Sequence, residues 1–242
     1  MKAYPGQVWF LPPEMEEGGD GKRRRHLLLT NCDDETVGVC AFASTKLTEA
    51  RFGAAFLSID PASSLDPRTG FSKPTCIYLS RLIVAASDDL LELMGRLVHE
   101  FPAARAHLAV ALGLGTGTSN GWENTASGWR GRVVHLSARR RELIGFEFGI
   151  ILTENRYSAC CRYQIIVPIA DHQETAPEAG DVILTQKPWF RQIGADVTEV
   201  IIAVREVHSI FHPIDVDRWT GAVIDDGTLG EIETALRRLF EL

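Results

Sequence analysis

Long apolar runs are missing from this sequence. No stretch of about 18 apolar residues occurs among its 242, which removes a transmembrane helix from consideration. The opening residues, MKAYPGQVWFLPP, lack the apolar segment of a secretory leader, so a cytoplasmic protein is expected. Cysteine is scarce and odd in number: Cys32, Cys40, Cys76, Cys160 and Cys161, with no Cys-x-x-Cys pair. That speaks against a disulfide scaffold or a structural zinc site and for buried free thiols. No His/Cys/Asp/Glu set has metal-ligand spacing, so neither a metal nor another cofactor is expected. A positive excess is absent as well. The formal net charge of −7 and pI near 5.5 argue against nucleic-acid binding by the surface as a whole.

Positive charge is present locally. Lys22, Arg23, Arg24 and Arg25 run directly into an apolar string in GKRRRHLLLTN, and Arg139, Arg140 and Arg141 form a second cluster. The plain reading of the first cluster is a solvated strand end. The sharper one is a site for an anion such as phosphate. For the second, charge balance against Glu142 and Glu147 suffices.

The chain reads as an internal duplication. GQVWFLP from Gly6 matches GRVVHLS from Gly131. HLLLTN from His26 matches GIILTEN from Gly149, and VGVCAFAS from Val37 matches YQIIVPIA from Tyr163. CIYLSRLIV from Cys76 matches VIIAVREVH from Val200, and glycine-containing turns are expected at Gly95 and Gly221. The spacing between partners stays close to 125 along the whole chain, which unrelated short strings would not do. Between the two units, GLGTGTSNGWENTASGW has linker composition. The domain expectation is therefore units at 1–112 and 130–242, joined by a linker at 113–129.

Within each unit the pattern predicts a first strand (Gln7–Leu11; Arg132–Leu136), then three short apolar strands. These are His26–Thr30, Val37–Phe42 and Ala55–Ile59 in one unit, and Phe148–Thr153, Tyr163–Ile169 and Val182–Leu184 in the other. A longer strand follows at Thr75–Ala85 or Thr198–Phe211. Helices are predicted in DDLLELMGRLVHE (88–100), in PAARAHLAVALGLG, and in TLGEIETALRRLFEL, where Leu229, Ile232, Leu236 and Leu239 share a face. The expected fold is mainly β with helices: two tandem small barrel-like sheets, each closed by a C-terminal helix.

These motifs resemble the MazF/PemK family of bacterial toxins, in order G-x-V-W, a basic residue opening an apolar strand that ends in Ser or Thr, and a Pro-Ile-Thr-like step. The resemblance implies SH3-like β-barrel units of the MazF/CcdB type, packed here as an internal pseudo-dimer that is monomeric or dimerises further. It implies a metal-independent, mRNA interferase-like endoribonuclease acting on single-stranded RNA, with an antitoxin protein as a partner occupying the same groove and no membrane. It places Arg25 at the family's catalytic arginine and Ser44 at its hydroxyl, with His26 where a proline is usual. In the second unit Glu147 stands at the arginine and Ala170 at the hydroxyl, so both chemical groups are missing there. Gln7 and Arg132 replace the acidic residue usual after the first glycine.

Cleavage by 2′-OH attack needs a base, charge stabilisation on the phosphoryl oxygens and protonation of the leaving oxygen. Arg25 suits the second task as a fixed cation, and Ser44 can donate a hydrogen bond. His26 and Thr45 are further candidates, although strand alternation points His26 away from Arg25. Lys22, Arg23, Arg24 and Lys46 are candidate RNA contacts. No residue clearly supplies the base. His208 and His212 read as structural. The acidic loop PPEMEEGGDG could fold over the cations through Glu14, Glu16, Glu17 and Asp20. The alternative reading is a non-catalytic protein of the same fold that binds a protein partner or RNA. The loss of both groups in one unit and the net charge favour that alternative.

Overall fold

A computed structural model describes residues 1–15, 22–46, 55–114, 129–153, 163–171, 176–194 and 198–242. The chain is mainly β, with a few helices and two antiparallel sheets. It divides into two compact units, Met1–Ala111 and Leu112–Leu242. Most of the expected linker, residues 115–128, lies outside the described residues, as do Cys160, Cys161 and residues 16–21 of the acidic loop.

In unit 1 the strands are β1 (Gln7–Leu11), β2 (Arg24–Leu28), β3 (Gly38–Ser44), β4 (Phe56–Ile59), β5 (Thr75–Ala85) and β6 (Glu92–Arg96). They pair in the order β4-β5-β3-β2-β1-β6. Val8, Leu27, Ala41, Ile77 and Leu82 are fully buried, and the short apolar strings that carry them become interior strands for that reason. The chain enters β1 through Gly6 at φ +86°, where an added Cβ would lie 2.6 Å from the Leu97 carbonyl oxygen. Only glycine tolerates both demands. Gly6 N–H donates to Leu28 O, and Leu97 N–H donates to Gly6 O, so one residue ties β1 to its two neighbours. Helix α1 (Phe101–Ala111) buries Ala104, Leu108 and Ala111 and packs on β4 and β5.

The helix expected over 88–100 is not formed. A 3-10 turn at Ser87–Asp89 leads into β6, which pairs with β1 through Val8↔Gly95 and Trp9↔Leu93. The apolar spacing fits a helix, yet Leu91 and Leu93 are exposed while Leu90 and Leu97 are buried. Tertiary pairing overrides the local pattern here. Gly95 lies in the strand, not in a turn. A Cβ on it would meet Arg68 O and Gly70 N at 2.3 Å, so the backbones approach too closely for any side chain.

Unit 2 contains β7 (Arg132–Leu136), α2 (Ala138–Ile144), β8 (Phe148–Ile151), β9 (Tyr163–Asp171), β10 (Val182–Thr185), β11 (Glu199–Ile202), β12 (His208–Phe211) and β13 (Val216–Val223). Its order is β10-β11-β9-β8-β7-β13, with β12 also on β9. Several hydrogen bonds of unit 1 have a counterpart. Gly131 (φ +77°) donates to Ile151 O and accepts from Ile224, as Gly6 does with Leu28 and Leu97. Thr30 Oγ1 accepts from Val39 N at 2.9 Å, and Thr153 Oγ1 accepts from Ile165 N at 2.6 Å. Leu29 N–H to Val39 O and Leu152 N–H to Ile165 O are both 2.8 Å.

The long strand expected over Thr198–Phe211 is two strands separated by a 3-10 turn at Val204–Glu206. The β5 strand of unit 1 stays continuous but slips at the corresponding place: Ala41 faces Leu82, while Phe42 faces Tyr78. Helix α2, unanticipated, is capped by Ser137, whose side chain accepts from Arg140 N, and ends at Gly145 in the left-handed region. The C-terminal helix, Asp226–Phe240, buries Thr228, Ile232, Leu236 and Phe240. Leu229 and Leu239, expected on the buried face, sit at its margins. Gly221, at φ +82°, lies inside β13 rather than in a turn.

Cys32, Cys40 and Cys76 are buried free thiols, and burial raises the pKa of each. No described helix is long and apolar enough to cross a membrane.

Candidate functional site

Antiparallel pairing brings the start of β2 beside the end of β3. The basic run Lys22–Arg25 and the turn Ser44–Lys46 therefore share one end of the unit 1 sheet. Lys22, Arg23, Thr45 and Lys46 are exposed, and Arg24, Arg25 and Ser44 are half-buried.

Register decides which of these groups meet. His26 faces Phe42 on β3 and Trp9 on β1. Continuing that ladder sets Arg24 opposite Ser44. Alternation along a strand therefore puts Arg24, His26, Phe42 and Ser44 on one face, with Tyr78 and Cys76 paired to the last two. Arg25 points the other way, and its guanidinium carbon lies 5.2 Å from the centre of the Phe10 ring. Ser44 thus shares its face with Arg24, whereas Arg25 is on the opposite face.

A third arginine joins from β5. Arg81 is next in line after the Ala41↔Leu82 pair, and its guanidinium carbon lies 3.9 Å from the centre of the Phe42 ring, while the slip in register brings Tyr78 into the pair with Phe42. Phe42 in turn stacks on Tyr78 at 6.3 Å. The Tyr78 hydroxyl donates to Lys46 O at 2.5 Å, and Lys46 N–H donates to Ser44 Oγ at 3.1 Å. The turn that presents Ser44 is therefore braced from below by a buried phenol.

His26 is 1% exposed and packs edge-on against Phe42. Its Nδ1 lies 3.3 Å from Arg24 O, which can only accept, so the proton sits on Nδ1. Burial holds its pKa down to about 3; the nearby Arg81 charge pushes the same way, and the bond to the Arg24 carbonyl opposes. The ring is neutral at physiological pH.

In unit 2 the corresponding sheet end is built differently. His135 faces Phe148 as Phe10 faces Arg25, which puts Glu147 level with Arg24. His135 lies 2.9 Å from Glu147 Oε1 through Nε2 and 3.0 Å from Asp217 Oδ2 through Nδ1. Arg141 approaches Glu147 at 3.7 Å. Gly149 stands level with His26, and Ile166 fills the space, since a Cβ on Gly149 would meet its Cδ1 at 2.8 Å. Arg140 is buried and donates to Ser209 O. His208 is also buried, which lowers its pKa. The His212 side chain lies outside the described residues.

Three of these features carry no motif: Arg81, Tyr78 and the choice of Arg24 over Arg25. The alternation of β2 was legible, but its phase relative to β3 depends on pairing across the sheet. Arg81 reaches the face through the pairing of β5 with β3, and the slip there brings Tyr78 to Phe42.

No family model matches the chain, and no curated protein matches it. Among solved structures, it is similar to an endoribonuclease in complex with its cognate antitoxin from a mycobacterial species. The two are 16% identical with a TM-score of 0.35, over 46% of this chain and 96% of that one.

Proposed function

We propose that the chain is a toxin-type endoribonuclease of the MazF/PemK kind, built from two tandem SH3-like units of which only unit 1 keeps a phosphate-binding face. The observation that carries this is the strand register, which sets Arg24 and Ser44 on one face with Arg81 over Phe42 of that face, beside Lys22, Arg23 and Lys46. Single-stranded RNA is the substrate in this reading. Its 2′-oxygen bonds to the adjacent phosphorus, the bond from phosphorus to the 5′-oxygen breaks, and a proton passes from the first oxygen to the second. Arginines stabilise the charge that grows on the phosphoryl oxygens. Ser44 Oγ receives the Lys46 N–H and keeps its own proton to donate to a phosphate or a 2′-OH. Arg25, the arginine matched by the family motif, flanks the same sheet end from the opposite face. An antitoxin would cover this end, and the matching strand orders of the units are compatible with an internal pseudo-dimer.

The second reading is a non-catalytic protein of the same fold that binds RNA or a protein. It is favoured by His26, the one histidine at this end of unit 1, which is buried and neutral and so ill placed to relay a proton. The test is RNA incubation with and without EDTA, using the wild type, Arg24→Ala, Arg25→Ala and Ser44→Ala. Cleavage that survives EDTA and is lost with Arg24 or Ser44 supports the enzyme. Intact RNA with folded wild-type protein removes it, and retained RNA affinity would then leave the binding reading.

A further inference from the structure

We infer that Tyr78 is a positioning residue for Ser44: its buried hydroxyl fixes the turn 44–46, and with it the serine Oγ, at the RNA site proposed above for this sheet end.

Packing at position 78 does not call for a hydroxyl. The residue is 1% exposed, within the apolar string CIYLSRLIVA, and its ring clusters with Phe42, Cys76 and Phe56. Phenylalanine would fill the same space. A buried phenol O–H must find an acceptor or forfeit the hydrogen bond it made in water. This one donates to Lys46 O at 2.5 Å, from 32 residues away in the chain. Lys46 is exposed, so the bond runs from the packed interior to a surface turn. The ring that delivers it is held on its own account. Phe42 lies against it, with ring centres 6.3 Å and planes 25° apart, and β4 sets Phe56 opposite.

Lys46 is tied at both of its main-chain polar groups. Its C=O accepts from Tyr78, and its N–H donates to Ser44 Oγ at 3.1 Å. A free serine side chain swings among staggered rotamers. The Lys46 N–H selects the one in which Oγ can receive it. A serine turn of this kind is weak by itself, so the selection depends on residue 46 staying where the phenol holds it.

Unit 2 supplies the comparison. Ala170 stands at the serine's position and Ala203 at the phenol's. Hydroxyl and brace are present together in one unit and absent together in the other, on sheets of the same strand order.

The test is a double-mutant cycle of Tyr78→Phe and Ser44→Ala on the full chain, with folding checked by urea midpoint. Tyr78→Phe keeps the ring and removes only the donor. In the wild-type background it should lower kcat on single-stranded RNA about tenfold and change KM by less than about threefold. In the Ser44→Ala background it should cost less than about twofold. A phenol that served the fold alone would cost the same in both backgrounds, and that outcome overturns the inference. Amide exchange without RNA is the independent readout. Lys46 N–H should exchange about threefold faster in Tyr78→Phe and in Ser44→Ala, and unchanged exchange in either variant overturns the inference whatever RNA does. Intact RNA with folded wild-type protein removes the enzyme instead, and the same cycle is then read on affinity for that RNA, with the same deciding outcomes. No affinity in the wild type overturns both.

Discussion

At one sheet end, unit 1 carries Arg24, His26, Phe42, Ser44 and Tyr78 on a single face. The corresponding hydrogen-bonding positions of unit 2 carry Glu147, Gly149, Pro168, Ala170 and Ala203. The backbone bonds at Gly6, Leu29 and Thr30 have counterparts at Gly131, Leu152 and Thr153, while every polar side chain on the face differs. The sheet needs its glycines and threonines; it does not need the arginines, the serine or the tyrosine. Groups dispensable for the fold in one unit and gathered on one face in the other are the ones to test for function.

The sharpest test of that contrast is Arg24→Ala. RNA cleavage should fall by about 10²–10³-fold, the usual cost of removing a group that stabilises an oxyanion. Arg25→Ala should cost less, because its side chain is on the other face. The reverse order, measured as initial rates on one labelled RNA, would return the role to the motif arginine.

Glycine substitutions probe the scaffold of the two units. Gly95→Ala forces a Cβ into Arg68 O and Gly70 N and should destabilise unit 1 by about 3 kcal/mol, read as a shift in urea midpoint. Gly221→Ala meets nothing within 4 Å and has only its φ of +82° to strain, so about 1 kcal/mol is expected.

Acid separates the units next. The folded-state pKa of His26, about 3, lies below its ordinary 6.5. The unfolded chain therefore takes up the proton first as pH falls. The stability that His26 confers by staying neutral is complete above pH 6.5 and is lost toward pH 3, at up to about 1.4 kcal/mol per pH unit. His26→Phe should flatten the unit 1 part of that dependence in urea melts at pH 7.5 and 5. Burial lowers the pKa of His208 in unit 2 as well, so the unit 1 share is read as the difference between His26→Phe and the wild type. An unchanged slope in the variant would mean that His26 is not the group being titrated.

The last comparison tests sameness. Thr30→Val and Thr153→Val each remove a buried hydroxyl that accepts a backbone N–H, and each should cost about 1–2 kcal/mol. Unequal values would show that the two hairpins are not held in the same way.

Strands bounded by turn residues are legible from sequence: the short β1 and β7 and the long β5 span the residues read for them. Residues 88–100 were misread because leucines spaced for a helix also serve an edge strand, and Gly95 betrays the difference only once Arg68 and Gly70 lie against it. The break between β11 and β12 falls at Val204–Glu206, where Arg205 and Glu206 interrupt the apolar run with no Gly or Pro to mark a turn. Helix α2 was concealed in a charged run, although Ser137 and Gly145 are recognisable caps in hindsight. At the site, residue types were readable at Ser44 and in the basic run. Which arginine shares the serine's face is a matter of register, and Arg81 arrives through the β3–β5 pairing, which no local signal announces.

The three buried thiols of unit 1 have a kinetic consequence. A thiol reagent can consume Cys32, Cys40 or Cys76 only when the strand around it opens, so with Cys160 and Cys161 changed to serine the modification rate becomes a clock for the breathing of unit 1 alone. Cys40 on β3 should tick slowest, Cys76 near the rim of β5 sooner, and RNA that grips the cationic end should slow Cys76 first.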